Sequence, residues 1–278
     1  MADQDYDTLT LRREGAVAIV TIDHPPINLR DLSMMRDLGR LGQALEADAS
    51  VHAAVFRSAD PDYFIAHADV ELIQKLPSEP QPKPTEVGGF HAMVERFRTM
   101  PVATIGMVEG RARGGGSEFL LSLDMRFAAA GRALFGQPEV ALGILPGGSG
   151  TQRLPRLMGR ARALEAILGC GDFDAETAER YGWVNRALPP DELEPFVMDL
   201  ARRIASFPKQ AIAKAKASVD AAETTTPEGL IEEAHLFNQT LGDPETKRRL
   251  QAFLDAGGQQ RENELAIGRL FDALVDPA

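Results

Sequence analysis

Residues 109–118 read EGRARGGGSE and join a predicted buried strand, residues 102–108, to a predicted helix that runs to about Leu123. Three consecutive glycines let the backbone approach a ligand without an intervening Cβ atom. They stand where the helix begins, so amide N–H groups are free and the helix dipole favours negative charge. Such a turn can hold a phosphate or a developing oxyanion, with Glu118 in the first helical turn beside it. Taken alone, a flexible turn in which Glu118 complements the dipole is the commoner explanation.

Two further segments combine free backbone amides with polar side chains. Residues 64–69, FIAHAD, place small residues ahead of a helix that Asp69 can cap. In residues 136–139, GQPE, Pro138 drives its predecessor towards an extended conformation, so we expect Glu139 to leave a strand end in a loop. Loops of this kind often present side chains to a site. An ordinary capped helix and a solvated loop glutamate are the plainer alternatives.

Strand and helix patterns alternate over the first two thirds of the chain. Residues 9–13 and 16–22 read as a hairpin, and residues 53–57 as a third strand. Asp31 is a predicted N-cap for a helix whose apolar residues share one face: Met34, Leu38, Leu41 and Leu45. Strands that alternate with helices indicate an α/β architecture.

Beyond Pro189-Pro190 the pattern is helical throughout. We therefore predict a core with the active site in residues 1–195 and a helical C-terminal domain in residues 196–278. One helical face in the second part is apolar, with Leu230, Ala234 and Phe237. We predict that this face packs against another subunit.

Composition limits the classes of function. The 278 residues contain 41 acidic and 30 basic side chains, a net charge of −11, which argues against nucleic-acid binding through a basic surface. The single cysteine, Cys170, fits a reducing compartment, and no apolar run approaches the ~18 residues of a membrane span. We expect a cytoplasmic protein without nucleic-acid or membrane partners. His67 and Asp69 alone do not make a metal ligand set, so no metal is predicted.

Together, these segments resemble the crotonase (enoyl-CoA hydratase/isomerase) superfamily. AHAD at 66–69 resembles the family's Ala-Gly-Ala-Asp segment, and residues 109–118 resemble its Asn-Gly-x-x-x-Gly-Gly-Gly-x-Glu segment. FGQPE at 135–139, followed by LGILPGGSGTQRL at 142–154, is similar to its third block. The N-terminal PIN at 26–28 and residues 175–185 also match, so the resemblance covers about residues 10 to 220.

The resemblance implies a spiral of ββα units with a helical C-terminal trimerisation domain, assembled as a homotrimer or homohexamer. It implies that the backbone N–H groups of Ala68 and Gly115 form an oxyanion hole for a thioester carbonyl. Glu118 and Glu139 match the two glutamates that a hydratase uses on water and on the α-carbon. Gly115 and the segment from Ala66 through His67 and Ala68 to Asp69 match substrate-binding backbone. His67 departs from the family pattern, in which glycine is usual.

The activity that the resemblance implies is hydration of the 2,3 double bond of an enoyl-CoA thioester, as in fatty-acid or related acyl-CoA metabolism. Coenzyme A is part of this substrate, so no separate cofactor is expected. A double-bond isomerase, or another crotonase-type reaction on an acyl-CoA, is an alternative on the same fold. A non-catalytic crotonase-like binding protein is a more remote one, because the acid–base and oxyanion positions are intact.

Overall fold

The computed structural model describes residues 5–222, 227–272 and 274. Its strands are β1 (Leu9–Glu14), β2 (Val17–Ile22), β3 (Ala53–Ser58), β4 (Tyr63–Ile65), β5 (Ala103–Val108), β6 (Arg111–Arg113), β7 (Met125–Ala129), β8 (Leu134–Gly136), β9 (Phe173–Asp174) and β10 (Arg186–Leu188). The helices of the first two thirds are α1 (Leu32–Ala47), α2 (Val70–Gln74), α3 (Gly89–Thr99), α4 (Gly115–Leu121), a 3₁₀ helix (Glu139–Leu142), α5 (Gly150–Met158), α6 (Arg160–Gly169) and α7 (Ala175–Tyr181). Those that follow are α8 (Pro190–Ala205), α9 (Lys209–Asp220), α10 (Pro227–Leu241), α11 (Pro244–Asp255), α12 (Arg261–Glu264) and α13 (Gly268–Asp272).

The strands form two sheets, and from β3 to β8 consecutive strands alternate between them. The larger sheet has the order β1-β2-β3-β5-β7-β10, and the smaller one the order β4-β6-β8-β9. Only β1 and β2 pair antiparallel in the larger sheet, as the predicted hairpin. The pairs β3–β4, β5–β6 and β7–β8 each place one strand in each sheet before a helix follows. This repeated ββα unit confirms the predicted α/β architecture.

The core lies where helices α1, α3 and α4 cover one face of the larger sheet. Phe56 of β3, Phe97 of α3 and Phe119 of α4 meet edge to face, with ring centroids 5.2–5.5 Å apart. This geometry suits the ring quadrupoles and adds to the burial of large apolar surface.

At the start of α4, a Cβ atom on Gly116 would lie 2.3 Å from the Ile65 carbonyl oxygen. Glycine therefore allows α4 to begin directly against the end of β4.

Several predicted helices begin where the sequence indicates. The Asp31 side chain accepts a hydrogen bond from the Met34 N–H at 2.9 Å, and Asp69 accepts one from the Glu71 N–H at 2.9 Å. These side chains cap α1 and α2, as predicted. Glu139 follows the end of β8, as expected, but it begins the 3₁₀ helix instead of lying in a loop.

The C-terminal helices are closely joined to the core. The predicted division at residue 195 falls inside α8, whose Leu193, Val197 and Ala201 are buried with the apolar residues of the larger sheet. Leu230 of α10 is 3% exposed and faces a cavity of the same chain together with Ala234 and Phe237. Ala234 and Phe237 are half-buried, so this face is only partly covered within the chain, and its contact with another subunit stays a prediction. No described helix is both long and apolar enough to cross a membrane.

Candidate active site

A cavity of about 490 Å³ lies where α2, α4, the 3₁₀ helix and the C-terminal helices meet. Most of the predicted site residues line it: His67, Ala68, Asp69, Gly115, Glu118 and Glu139. Ala66 is wholly buried beside the cavity, where its N–H donates to the Ile27 carbonyl at 3.2 Å. The fold thus brings together three segments that are far apart in the sequence.

The backbone N–H groups of Ala68 and Gly115 are available to a ligand. Ala68 bridges in parallel to Arg30, with Arg30 N–H donating to the His67 carbonyl and Asp69 N–H donating to the Arg30 carbonyl. This pattern turns the N–H of Ala68 to the opposite side. Gly115 is the first residue of α4, where an amide has no intrahelical acceptor. Within the described residues, neither amide has a backbone or side-chain acceptor.

The carboxylate of Glu118 is held by a backbone turn. Its Oε1 atom accepts hydrogen bonds from the N–H groups of Gly148 at 2.7 Å and Gly150 at 2.9 Å. Burial and the charge of Glu233 nevertheless raise the pKa of Glu118 to about 7, against the effect of these donors and of Arg30. A carboxyl group with such a pKa can accept or donate a proton at neutral pH.

Glu139 reaches the same cavity from the 3₁₀ helix. Its side chain lies against the glycine turn, since a Cβ atom on Gly114 would be 2.8 Å from Oε1. Burial, followed by the charge of Glu118, raises the pKa of Glu139 well above its ordinary value. With its NH₂ group turned towards the carboxylate, the Gln137 amide lies 3.2 and 3.1 Å from the two oxygen atoms. Both carboxyl groups therefore hold a proton to a higher pH than an exposed glutamate does.

A third glutamate, Glu233 of α10, was missed by the sequence analysis. It is 1% exposed and accepts hydrogen bonds from the N–H groups of Ser149 at 2.5 Å and Thr151 at 2.9 Å. His91 Nε2 lies 2.8 Å from the same carboxylate. Successive amides of the turn at 148–151 thus bind Glu118 and Glu233 alternately, so Glu233 fixes the turn that holds Glu118.

His67 fastens the segment of Ala68 to the C-terminal helices. Its Nδ1 atom lies 2.8 Å from the Ala68 carbonyl oxygen, and its Nε2 lies 3.0 Å from Oε1 of Glu264 in α12. Burial alone would lower the pKa of His67, but attraction to Glu264 and these hydrogen bonds outweigh it, so the pKa is raised. The ring is 5% exposed and packs edge to face on Phe253. His67 therefore packs in the interior and, through its hydrogen bonds, holds the Ala68 segment in place.

Arg30 is a second residue that the sequence analysis missed. Its guanidinium carbon lies 3.9 Å from the centre of the Phe90 ring, and Nη1 lies 3.4 Å from the Met35 sulfur. Arg30 lines the cavity beside Gly115, because a Cβ atom there would be 2.4 Å from its Nε. Burial lowers the pKa of Arg30, although Glu118 and Glu139 oppose this shift. Arg30 precedes the Asp31 cap of α1, and a single arginine there gives no periodic pattern by which a sequence could reveal it.

Metal ligands do not gather in the described ranges 5–222, 227–272 and 274. No group of three or more His, Cys, Asp or Glu side chains there is placed to hold an ion.

Comparisons with known proteins agree on one family. The family model described as enoyl-CoA hydratase/isomerase matches residues 12–262. A Rhizobium meliloti protein named "Probable enoyl-CoA hydratase" is 35% identical over 90% of this chain and 95% of its own, and a Syntrophomonas wolfei protein named "Crotonyl-CoA hydratase" is 32% identical over 90% and 96%. A crystal structure from Streptomyces avermitilis, provisionally assigned as an enoyl-CoA hydratase, superimposes with a TM-score of 0.88 at 38% identity, over 97% of this chain and 98% of that one. The ββα units are therefore those of the crotonase fold, and the chain belongs to the enoyl-CoA hydratase/isomerase family of the crotonase superfamily.

Proposed function

We propose that this protein is an enoyl-CoA hydratase, which adds water across the 2,3 double bond of an enoyl-CoA thioester. The observation that carries the proposal is the pair of buried glutamates with raised pKa values, Glu118 and Glu139, in one cavity with two free backbone amides. Hydration needs one group to activate water, a second to protonate carbon and donors for an enolate oxygen. The hydratase names of relatives at 32–35% identity support the same activity.

The reaction follows from the positions of these groups. The thioester carbonyl accepts hydrogen bonds from the N–H groups of Ala68 and Gly115, which strengthen as enolate charge develops. Ionised Glu118 removes a proton from water while the water oxygen bonds to Cβ and the double-bond electrons move towards the thioester oxygen. Protonated Glu139 then gives its proton to Cα, and exchange with solvent restores the pair. Coenzyme A is part of the substrate, so this scheme uses no separate cofactor.

The alternative on the same fold is a double-bond isomerase, which moves a proton from one carbon to another. A single buried base can perform such a shuttle. Here the turn at 148–151 holds Glu118 in place with two backbone donors, while Glu139 lies against Gly114 across the cavity. Addition of water uses two acid–base groups, whereas isomerisation needs only one. Two buried acids therefore favour hydration.

The test is a direct assay with crotonyl-CoA and longer trans-2-enoyl-CoA thioesters. We expect loss of the ultraviolet absorbance of the conjugated thioester, with the 3-hydroxyacyl-CoA identified by mass spectrometry as carrying one oxygen atom from labelled water. Incubation with 3-enoyl-CoA distinguishes the alternative. Isomerisation of that compound without hydration of any 2-enoyl-CoA would contradict the proposal.

A further inference from the structure

The positive charge of Arg30 has no full partner in the cavity. Its Nε is buried and has no hydrogen-bond partner, and its Nη1 meets a thioether sulfur at 3.4 Å, which is a weak acceptor. Within the part of the chain that the structure describes, Arg30 forms no ion pair. Arg30 is half-buried, and an unpaired charge that is partly removed from water is destabilising.

The two catalytic glutamates do not supply the missing partner. Neither Glu118 nor Glu139 approaches the guanidinium within ion-pair distance, and Oε1 of Glu118 is already bound by the amides of Gly148 and Gly150. The proposed mechanism also requires Glu139 to hold a proton before it transfers it to Cα. Arg30 therefore keeps donors and charge that the proposed hydration of an unsubstituted enoyl chain does not use.

Arg30 faces the cavity in which the acyl-CoA is proposed to bind. Its guanidinium lies over the Phe90 ring, and its Nη1 atom contacts the Met35 sulfur. It stands beside Gly115, one of the two proposed thioester-binding residues. The same cavity is lined by apolar side chains of α2 and the residues that follow it, Leu72, Ile73 and Leu76. A plain alkyl chain would complete the apolar contacts and leave the arginine unpaired.

We propose that Arg30 binds a carboxylate carried by the acyl group, so that the preferred substrates are 2-enoyl-CoA thioesters of dicarboxylic acids. This inference rests on the proposed function, because it assumes that the acyl-CoA enters this cavity. A carboxylate offers two oxygen atoms to the planar guanidinium and so satisfies donors that the protein leaves free. The charge of Arg30 becomes balanced when this substrate binds, and the apolar wall contacts the intervening methylene groups.

The experiment measures binding of saturated thioesters, which have no double bond and cannot be hydrated. Glutaryl-CoA and pentanoyl-CoA have the same chain length and differ in a terminal carboxylate against a methyl group. Calorimetric titration of the whole protein should give about 10- to 100-fold tighter binding of glutaryl-CoA, as expected for hydrogen bonds to a charged group. In Arg30→Met, the ratio of the two affinities should fall to about one or below.

Two further variants show whether charge is responsible. Arg30→Gln keeps donors but loses the charge, so it should lose most of the preference, whereas Arg30→Lys should keep part of it. Arg12→Met is the matched control, because Arg12 is exposed on β1, with a side chain 67% exposed. It should leave the ratio unchanged. A ratio of two ligands on one protein is insensitive to a partly unfolded sample.

Each result decides the matter. Equal or tighter binding of pentanoyl-CoA by the unaltered protein overturns the inference without touching the proposed hydration. The same holds if Arg30→Met weakens both ligands alike, since Arg30 would then act on the thioester itself. If glutaryl-CoA is preferred through Arg30 but no 2-enoyl-CoA is hydrated, the inference stands and the proposed function fails. Binding of neither thioester would overturn both.

Discussion

At the scale of single residues, Glu118 shows how burial outweighs hydrogen bonding. Two backbone amides donate to its carboxylate, which by itself would lower the pKa, yet burial and Glu233 raise the pKa to about 7. The fold thus keeps a carboxyl group near the protonation midpoint at the pH where it would work. This effect is absent from the sequence, because it depends on what the chain places around Glu118.

The raised pKa of Glu118 predicts a pH-dependent stability. A carboxyl group with a higher pKa in the folded state binds its proton more tightly there than in the unfolded chain, so stability falls as pH rises from 4.5 towards about 7. Glu118→Gln cannot ionise and should lack this loss, which is on the order of 3 kcal/mol for such a shift. Urea unfolding across this range measures it. Parallel stability curves for the two proteins would count against the pKa assignment.

A second prediction at the scale of single residues concerns the replacement of Gly115. A Cβ atom at this position would lie 2.4 Å from Nε of Arg30, on the side of the residue that faces the cavity. Gly115→Val should therefore lower kcat/KM for enoyl-CoA hydration by about 10²-fold or more, as when an oxyanion donor is lost, while the chain still folds. Gly39→Val is the control, since a Cβ atom at Gly39 in α1 meets nothing within 4 Å. Near-normal turnover in Gly115→Val would refute the oxyanion role.

At the scale of elements, α10 and the turn at 148–151 form one unit. Glu233 accepts two backbone hydrogen bonds from the turn and one from His91, and the turn in turn holds Glu118. Helix α10, which is remote in sequence, therefore determines the position of the proposed base Glu118. The coupling passes through backbone amides, which leave no trace in a residue pattern.

At the scale of elements, we predict the effect of replacing Glu233. Glu233→Ala leaves two buried amides and a buried histidine without an acceptor, so we expect a loss of about 2–4 kcal/mol in unfolding free energy and much slower hydration. The neighbouring Glu232→Ala removes an exposed side chain paired with Lys83, and should change stability by less than about 0.5 kcal/mol. Urea unfolding and the hydration assay check both. Equal effects of the two substitutions would show that Glu233 does not organise the turn.

Sequence reasoning worked best where a signal is local. The caps at Asp31 and Asp69 and the long strands β2, β3 and β5 were predicted, because capping and apolar runs are properties of a few neighbouring residues. The strands β4 and β6 were missed, since three residues are too few for a periodic pattern, whereas Pro138 indicated the strand end before Glu139. Arg30 and Glu233 were missed because only tertiary contacts place Arg30 at the cavity and Glu233 at the turn that holds Glu118.

At the scale of the whole molecule, the C-terminal helices complete the site. Leu250 and Phe253 of α11 are buried with Val70, Leu142 and Ile144 of the preceding segments, and Glu264 of α12 binds His67. Three separate helices, α10 to α12, therefore contact the catalytic segments. We do not expect residues 1–195 to form a working site without residues 196–278.

The assembly of the whole molecule stays a prediction. We expect contacts between the subunits of a homotrimer or homohexamer, and the half-buried face of Leu230, Ala234 and Phe237 stays a candidate for them. Exposed apolar side chains at Leu168, Phe207 and Val219 are 62%, 47% and 65% exposed and are available for such contacts. Sedimentation should give a trimer or hexamer at micromolar concentration. A stable monomer with full hydratase activity would contradict the prediction.

The most direct test of the account is the joint loss of both glutamates. Glu118→Gln and Glu139→Gln should each lower hydration by about 10²–10⁴-fold, and the double variant should be little slower than the slower single variant, because one step needs both groups. All three should still bind an acyl-CoA, since glutamine keeps the shape of glutamate. Exchange of the α-proton with solvent should fail first in Glu139→Gln. Normal hydration by Glu139→Gln, with Glu118→Gln inactive, would contradict the two-glutamate mechanism and favour a one-base reaction such as isomerisation.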